Sequence, residues 1–258
     1  MIKNFIKSIL RYIADHKDKN QKNLNELLEY NLKFIASSKN IDQTQINEIT
    51  ILLKDLKGTS LAEGINIIDS VLNSIQVEGD VCEFGVAQGK TTKLISYLIK
   101  DTKKKIYLYD SFMGLPAPSK EDVLKDDIFN LKKMSLYEGK MSHSEKKVLS
   151  ELNSINFDEK RIILNKGFFN QKNKDLFEYP EKISFAYIDF DFYLPTKDVL
   201  NVIETKLSKD STIIIDDYDF FSTGVKTAVD EWLRNKNNEF EIKKIKTVNS
   251  SFIKLKKK

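Results

Sequence analysis

The chain has 258 residues, 41% hydrophobic and 31% charged, a composition that suits a globular protein of one large domain, or a domain with an appendage, and excludes disordered, collagenous and bilayer-spanning classes. Basic residues exceed acidic ones by only 42 to 38, so the formal charge of +4 leaves no electrostatic footprint for nucleic acid. The single cysteine, Cys82, excludes an internal disulfide and a thiolate metal cage, and with His16 and His143 the only imidazoles, any metal or acid–base site must rest on carboxylates.

At the N-terminus, lysines and Arg11 interrupt the apolar residues before a secretory core forms, and no run of about 18 apolar residues follows, so a cytoplasmic protein without a membrane span is expected. Phe5, Ile9, Tyr12 and Ile13 share one helical face, and Leu24, Leu27, Leu28 and Leu32 share another. The first face reads as a packing surface for another helix. Further helices are predicted over 44–56 and 61–75, separated by a Lys57-Gly58-Thr59-Ser60 break. Residues 1–75 thus form a helical N-terminal section, the natural surface for a homodimer.

After Gln76 short apolar runs alternate with amphipathic segments, the pattern of βαβ units and a mostly parallel sheet with helices on both faces. Strands are predicted at 81–84, 106–109, 161–164, 185–188 and 212–215, and helices at 91–100, 196–207 and 224–235. Weak alternation in 240–245 and 251–255 predicts a C-terminal β-hairpin. A polar stretch at 114–160, opening with Pro116 and Pro118, is too long for a plain connection and reads as a partly helical lid within a 76–258 domain.

Three constellations carry chemistry. In the first, the strand ending Cys82-Glu83-Phe84 runs into a turn with Gly85 and Gly89 and then a helix, where backbone approaches a ligand closely and a helix N-terminus offers N–H donors. The turn fails the dinucleotide fingerprint at Ala87 and Lys90 and the P-loop pattern at Phe84, so pyrophosphate is not its expected ligand. In the second, the next strand ends at Asp110, placed to accept ribose hydroxyls of an adenosine-containing ligand. In the third, two apolar strands end in paired acids, Asp189-Phe190-Asp191 and Asp216-Asp217. Carboxylates crowded at one sheet edge must be neutralised by protons or a cation, and an oxygen-seeking ion such as Mg²⁺ fits.

Taken in order, Glu-Phe-Gly-Val-x-x-Gly (83–89), Asp-Ser-Phe-x-Gly-Leu-Pro (110–116), Ile-Asp-x-Asp-x-Tyr (188–193) and Asp-Asp-Tyr (216–218), followed by Gly224 and Ala228-Val229-Asp230, resemble the macrocin O-methyltransferase family. The resemblance covers about residues 76–235. It implies a Rossmann-like class I fold and metal-dependent methylation of a sugar hydroxyl by S-adenosylmethionine. It further implies that Glu83, Gly85 and Gly89 cradle the methionine half of the cofactor, that Asp110, with Ser111 beside it, holds the ribose, that Asp189, Asp216 and Asp217 bind Mg²⁺, and that Asp191 is the general base. The chain departs from the family at Phe190, where a small residue is usual, and at Leu194 and Pro195, where an acid is usual. Two other readings compete: a nucleotide-sugar glycosyltransferase using Asp189-Phe190-Asp191 as its metal motif, and a non-catalytic binding protein on the same fold.

Overall fold

A computed structural model of the protein describes residues 41–258 apart from 171, 235, 237, 248 and 249, together with residues 26, 30–35, 37 and 39. The expected helical face of Phe5, Ile9, Tyr12 and Ile13, with His16, Leu24, Leu27 and Leu28, lies outside these residues. The chain divides into two compact units, Met1–Lys54 and Asp55–Lys258. In the first, residues 30–35 are helical and helix α1 spans Gln43–Lys54, with Ile46, Ile49, Leu52 and Leu53 buried along one stripe. No helix among the described residues is long and apolar enough to cross a membrane.

The second unit opens with helix α2 (Leu61–Ser74), whose N-cap Ser60 accepts a hydrogen bond from the Glu63 N–H. Strand β1 (Asp80–Phe84), helix α3 (Lys90–Ile99) and strand β2 (Ile106–Asp110) follow, and then, beyond the insertion, strands β3 (Ile162–Lys166) and β4 (Ile183–Ile188). Helix α4 (Glu145–Asn153) lies inside the insertion; helix α5 (Tyr193–Ile203), strand β5 (Leu207–Ile215) and helix α6 (Gly224–Leu233) lead to a hairpin of β6 (Phe240–Lys246) and β7 (Ser251–Lys257). The sheet order is β3-β2-β1-β4-β5-β7-β6, parallel from β1 to β5 with the hairpin antiparallel at one edge. Every residue of β4 is buried, as a parallel strand covered on both faces requires.

The predicted strands and hairpin all form, with differences at their ends. Strand β5 starts at Leu207, earlier than expected, because an irregularity pairs Ile183 with Leu207 but Phe185 with Thr212, hiding the strand behind exposed Lys209 and Asp210. Helix α5 starts at Tyr193 and takes Pro195 into its first turn, where a missing N–H costs no intrahelical bond. Arg161, expected at the start of β3, instead donates its guanidinium hydrogens to the carbonyls of Ile99, Lys100 and Lys104 at 2.8 Å, tying off the end of α3.

The insertion is partly helical, with a 3₁₀ turn at Met134–Tyr137 and α4. It is anchored at two places. Lys90, Lys93 and Lys147 surround Glu151 of α4 at 2.9, 3.1 and 2.8 Å. Elsewhere, the N–H groups of Lys125 and Asp126 reach the Phe221 carbonyl, and Thr223 N–H reaches the Val123 carbonyl at 3.0 Å, so residues 123–126 run beside the loop after β5. Leu115 and Tyr137 of the insertion share a small core with Phe192 and Phe221.

Candidate active site

The five parallel strands end at one edge, and the hydrogen bonding runs on past them: Gly85 N–H to Tyr109 O at 2.9 Å, Asp189 N–H to Phe84 O at 2.7 Å, Asp216 N–H to Ile188 O at 2.9 Å. The strand order turns about β1, which has β2 on one side and β4 on the other, and such a switch point opens a crevice beyond the strand ends. A cavity of about 440 Å³ lies there. Its wall takes Gly85, Ala87, Asp110 and Ser111 from the first two turns, residues 167–169 after β3, 189–191 after β4, and Asp216 and Asp217 after β5. The insertion adds Leu115, Asp126 and Met141.

The glycine turn is dictated by close backbone approach. Gly85 has φ +87°, and a Cβ there would lie 1.9 Å from the Asp189 carbonyl oxygen, so only glycine lets β1 and β4 end side by side. Gly89, at φ +81° and the N-cap of α3, faces Val148 of the insertion and does not line the cavity. Glu83 does not line it either. Its side chain is fully buried with no hydrogen-bond partner among the described residues on either carboxylate oxygen, and burial, against a smaller opposing effect of nearby Thr92, pushes its pKa up to about 8.

Asp110 does line the cavity, but most of its acceptor capacity is committed. One oxygen takes the N–H groups of Val86 and Ala87 at 2.8 and 2.9 Å, and the other takes Phe112 N–H at 2.6 Å. With about four lone-pair positions on a carboxylate, one remains. Asp110 therefore fixes the glycine turn as its first task. Ser111 is turned into the next bend, donating to Gly114 O at 2.9 Å and accepting Met113 N–H at 3.0 Å.

Asp189, Asp191 and Asp217 each offer a carboxylate oxygen within 4.8 Å of the other two. Asp191 and Asp217 hold left-handed backbone, φ +59° and +54°, a conformation that costs free energy away from glycine and tends to cluster where function needs it. Burial, then the neighbouring acids, holds all three carboxyl groups well above the usual range. Left alone, such a group must retain protons; a divalent cation relieves the same repulsion. The fit is good, because two oxygen ligands on one small cation stand no more than about 4–5 Å apart.

Asp216 is held differently. It accepts the Asp217 N–H at 2.7 Å and lies 3.2 Å from the Tyr187 hydroxyl, which in turn is 3.3 Å from Glu63. Burial raises the pKa of Glu63, and Asp216 raises it further. The structure thus groups Asp191 with Asp189 and Asp217, and sets Asp216 in a buried Glu63–Tyr187 contact behind them. Sequence reasoning did not single out Glu63 or Tyr187. Glu63 stands three residues after a serine before an apolar run, which reads as a helix-capping acid. Asp122 escaped notice as well: it accepts the N–H of Tyr193 at 2.8 Å and both the N–H and hydroxyl of Ser119 at 2.7 Å, joining the insertion to the start of α5.

Phe190, the residue between the two aspartates, lines the cavity, its ring centroid 6.0 Å from that of Phe84 and 5.8 Å from that of Phe169. Pro195 lines it too, whereas Leu194 is exposed and His143 is not on the wall.

Comparison with known proteins agrees with this architecture. The O-methyltransferase NovP superposes with a TM-score of 0.63 at 21% identity, over 90% of this chain and 98% of NovP. CalS11, a calicheamicin methyltransferase, gives 0.54 at 18% over 81% and 91% of the two chains, and an O-methyltransferase from Bacillus cereus in complex with SAH gives 0.51 at 13% over 88% and 96%. At these identities the likeness is one of fold. No curated protein matches the sequence. Residues 59–254, which hold all the strands except the last residues of β7 and every cavity-lining acid, match the family described as macrocin-O-methyltransferase. The chain belongs to the macrocin-O-methyltransferase family and is an O-methyltransferase with a Rossmann-like class I fold.

Proposed function

We propose that the protein methylates a sugar hydroxyl with S-adenosylmethionine, assisted by Mg²⁺ held on Asp189, Asp191 and Asp217. The observation that carries this reading is the grouping of those three carboxylates on the wall of the same cavity as the Gly85 turn and Asp110. S-adenosylmethionine supplies an electrophilic methyl group and leaves as the neutral thioether. A divalent cation supplies positive charge that lowers the pKa of the acceptor hydroxyl.

The chain's own residues do the rest. Gly85 and Ala87 bring backbone to the donor, and Asp110 keeps that turn in shape with one acceptor position left for a ribose hydroxyl. Asp191 would accept the acceptor hydroxyl's proton on the carboxylate oxygen that does not hold the ion, as the methyl group would pass from the sulfonium sulfur to the acceptor oxygen. Asp191 has two carboxylate oxygens, so one could hold the ion while the other faces the acceptor. Tyr187 and Glu63 hold Asp216, and through its N–H bond Asp217, in place. Leu115, Ile128 and Met141 of the insertion line one side of the cavity, and excluding water there would strengthen the attraction between developing alkoxide and sulfonium.

The test is calorimetry with S-adenosylhomocysteine and, separately, with Mg²⁺ or Mn²⁺. Wild type binds both; Asp110→Ala weakens the thioether ligand more than tenfold, and Asp217→Asn weakens the ion more than tenfold without unfolding the protein. No binding of S-adenosylhomocysteine, or equal ion binding in Asp217→Asn and wild type, defeats the proposal.

A further inference from the structure

Two of the three grouped acids stand beyond the reach of the sheet. Among the described residues the strand pairing of β4 and β5 ends with Asp216 N–H to Ile188 O, so Asp191 and Asp217 are placed by turns. Phe192 N–H donates to Phe190 O at 2.6 Å, closing a three-residue turn with Asp191 at its apex and φ +59° there. That is a γ-turn of the strained hand, a conformation that persists only where its surroundings hold it.

The hold comes from the loop after β5. Ser222 is fully buried, donates its hydroxyl to the Asp191 carbonyl oxygen at 3.0 Å and accepts the Gly224 N–H at 3.1 Å. Asp217 lies in the same loop, its carbonyl accepting Phe220 N–H at 3.3 Å, so Ser222 ties the turn that carries one acid to the loop that carries another. Ser222 is itself braced from outside by a backbone bridge with Leu124 of the insertion. The far end of the Asp191 turn is pinned by Asp122 at Tyr193 N–H, and Gly224 leaves room for this, since a Cβ there would lie 1.8 Å from an Asp122 carboxylate oxygen.

The plain account of Ser222 is that it satisfies the first N–H of α6. That task uses only a lone pair of the hydroxyl. Its proton is spent outside the helix, on the main chain of a metal-group acid 31 residues back. We propose that Ser222 is a positioning residue, which holds the Asp191 carbonyl and thereby keeps the strained turn in the one shape that presents the Asp191 and Asp217 carboxylates to the same cation. The proposal rests on the Mg²⁺ reading above and adds to it a residue outside the acids themselves. Removing a group that orients a metal ligand typically costs about 10–100-fold in metal affinity.

The experiment is calorimetry of the full chain with Mn²⁺ and, separately, with S-adenosylhomocysteine, on wild type, Ser222→Ala, Ser222→Cys and Ser184→Ala. Ser184 is the control: it is equally buried and donates to Asp80 O at 3.1 Å near the start of β4, at the end of the strand away from the cavity. Ser222→Ala should bind Mn²⁺ about tenfold more weakly, and Ser222→Cys, whose S–H is a weak donor, should lose at least twofold. In both, S-adenosylhomocysteine affinity should stay within twofold of wild type, and Ser184→Ala should keep both affinities. A loss of Mn²⁺ affinity below threefold in Ser222→Ala overturns the proposal. So does a parallel loss of both ligands in both Ser222 variants, or an equal Mn²⁺ loss in Ser184→Ala, since Ser222 would then contribute stability alone. If Ser222→Ala by itself fails to bind S-adenosylhomocysteine, Ser222→Cys decides: a Mn²⁺ loss of twofold or more with that ligand retained sustains the proposal, and a smaller loss overturns it. Wild type that binds no Mn²⁺ would defeat the metal reading itself, which separates the two failures.

Discussion

Gly85→Ala is the substitution that most directly links backbone geometry to the proposed metal group. The new Cβ falls 1.9 Å from the Asp189 carbonyl oxygen, where real Cβ contacts essentially never come under 3.0 Å, so the end of β4 must retreat by at least about 1 Å. The left-handed φ of +87° adds about 1–2 kcal/mol for any residue with a Cβ. Displacing β4 also strains the Asp189 N–H to Phe84 O bond, 2.7 Å long, whose loss costs about 0.5–1.5 kcal/mol. Together these predict a loss of about 2–3 kcal/mol, and for a unit of this size a fall in Tm of about 5–10 °C. The functional loss should be larger than the stability loss suggests, because ligand distances in a metal site tolerate only about 0.2 Å. Thermal unfolding by circular dichroism and ion titration by calorimetry read both. A Tm within 2 °C of wild type together with ion affinity within twofold would refute the reasoning, since it would mean that β1 and β4 do not meet at this point.

Two further predictions concern the anchoring of the insertion. Burial alone would raise the pKa of Glu151, but hydrogen bonds from Lys147, Lys90 and Lys93 outweigh it and bring it down to about 2. A carboxyl group depressed in the folded state stabilises above its unfolded pKa and loses that contribution as pH falls through the folded value. Glu151→Gln should therefore cost about 3 kcal/mol at pH 7, with the gap from wild type shrinking between about pH 4.5 and 2 in urea denaturation series; a gap independent of pH down to 3 would contradict the ion-pair account. Asp122→Asn points an amide N–H₂ at one or more of the donors on Tyr193 and Ser119, costing about 1–3 kcal/mol. Limited proteolysis within 114–143 should accelerate relative to wild type, and unchanged cleavage would show that Asp122 does not hold the insertion down.

The fold was legible wherever periodicity and burial agreed. Strands β2 and β4 are mostly apolar runs, and β1 is one interrupted by the buried Glu83, because a parallel strand buries both faces, and the residues at the end of each run mark its end at the crevice. Legibility failed where a tertiary contact overrides local pattern. The first half of β5 reads as loop because Lys209 and Asp210 face solvent at an irregularity that only the pairing with β4 reveals. Arg161 reads as a strand residue but spends its guanidinium on the end of α3, a contact to residues far back in the chain.

The acids show the same division more sharply. Spacing alone brings Asp110, Asp189, Asp191, Asp216 and Asp217 to one sheet edge, since Asp110 ends β2 and the others follow closely on the ends of β4 and β5. Spacing cannot say which way a carboxylate turns. That choice is made by left-handed backbone at Asp191 and Asp217, which sets those two beside Asp189, and by Tyr187 and Glu63, which draw Asp216 away. Glu63 reaches this network from a helix whose N-terminal pattern gives it an ordinary capping role, so no local signal distinguishes it. Asp126 is subtler still, for it reaches the cavity only because residues 123–126 pair with the loop after β5. The roles of these acids are therefore set by tertiary contacts beyond the motifs that contain some of them. Exchanging Phe190 for a smaller residue would leave every motif acid in place yet remove an aromatic surface from the cavity wall, so the shape of that wall is set by residues between the acids and in the insertion as much as by the acids themselves.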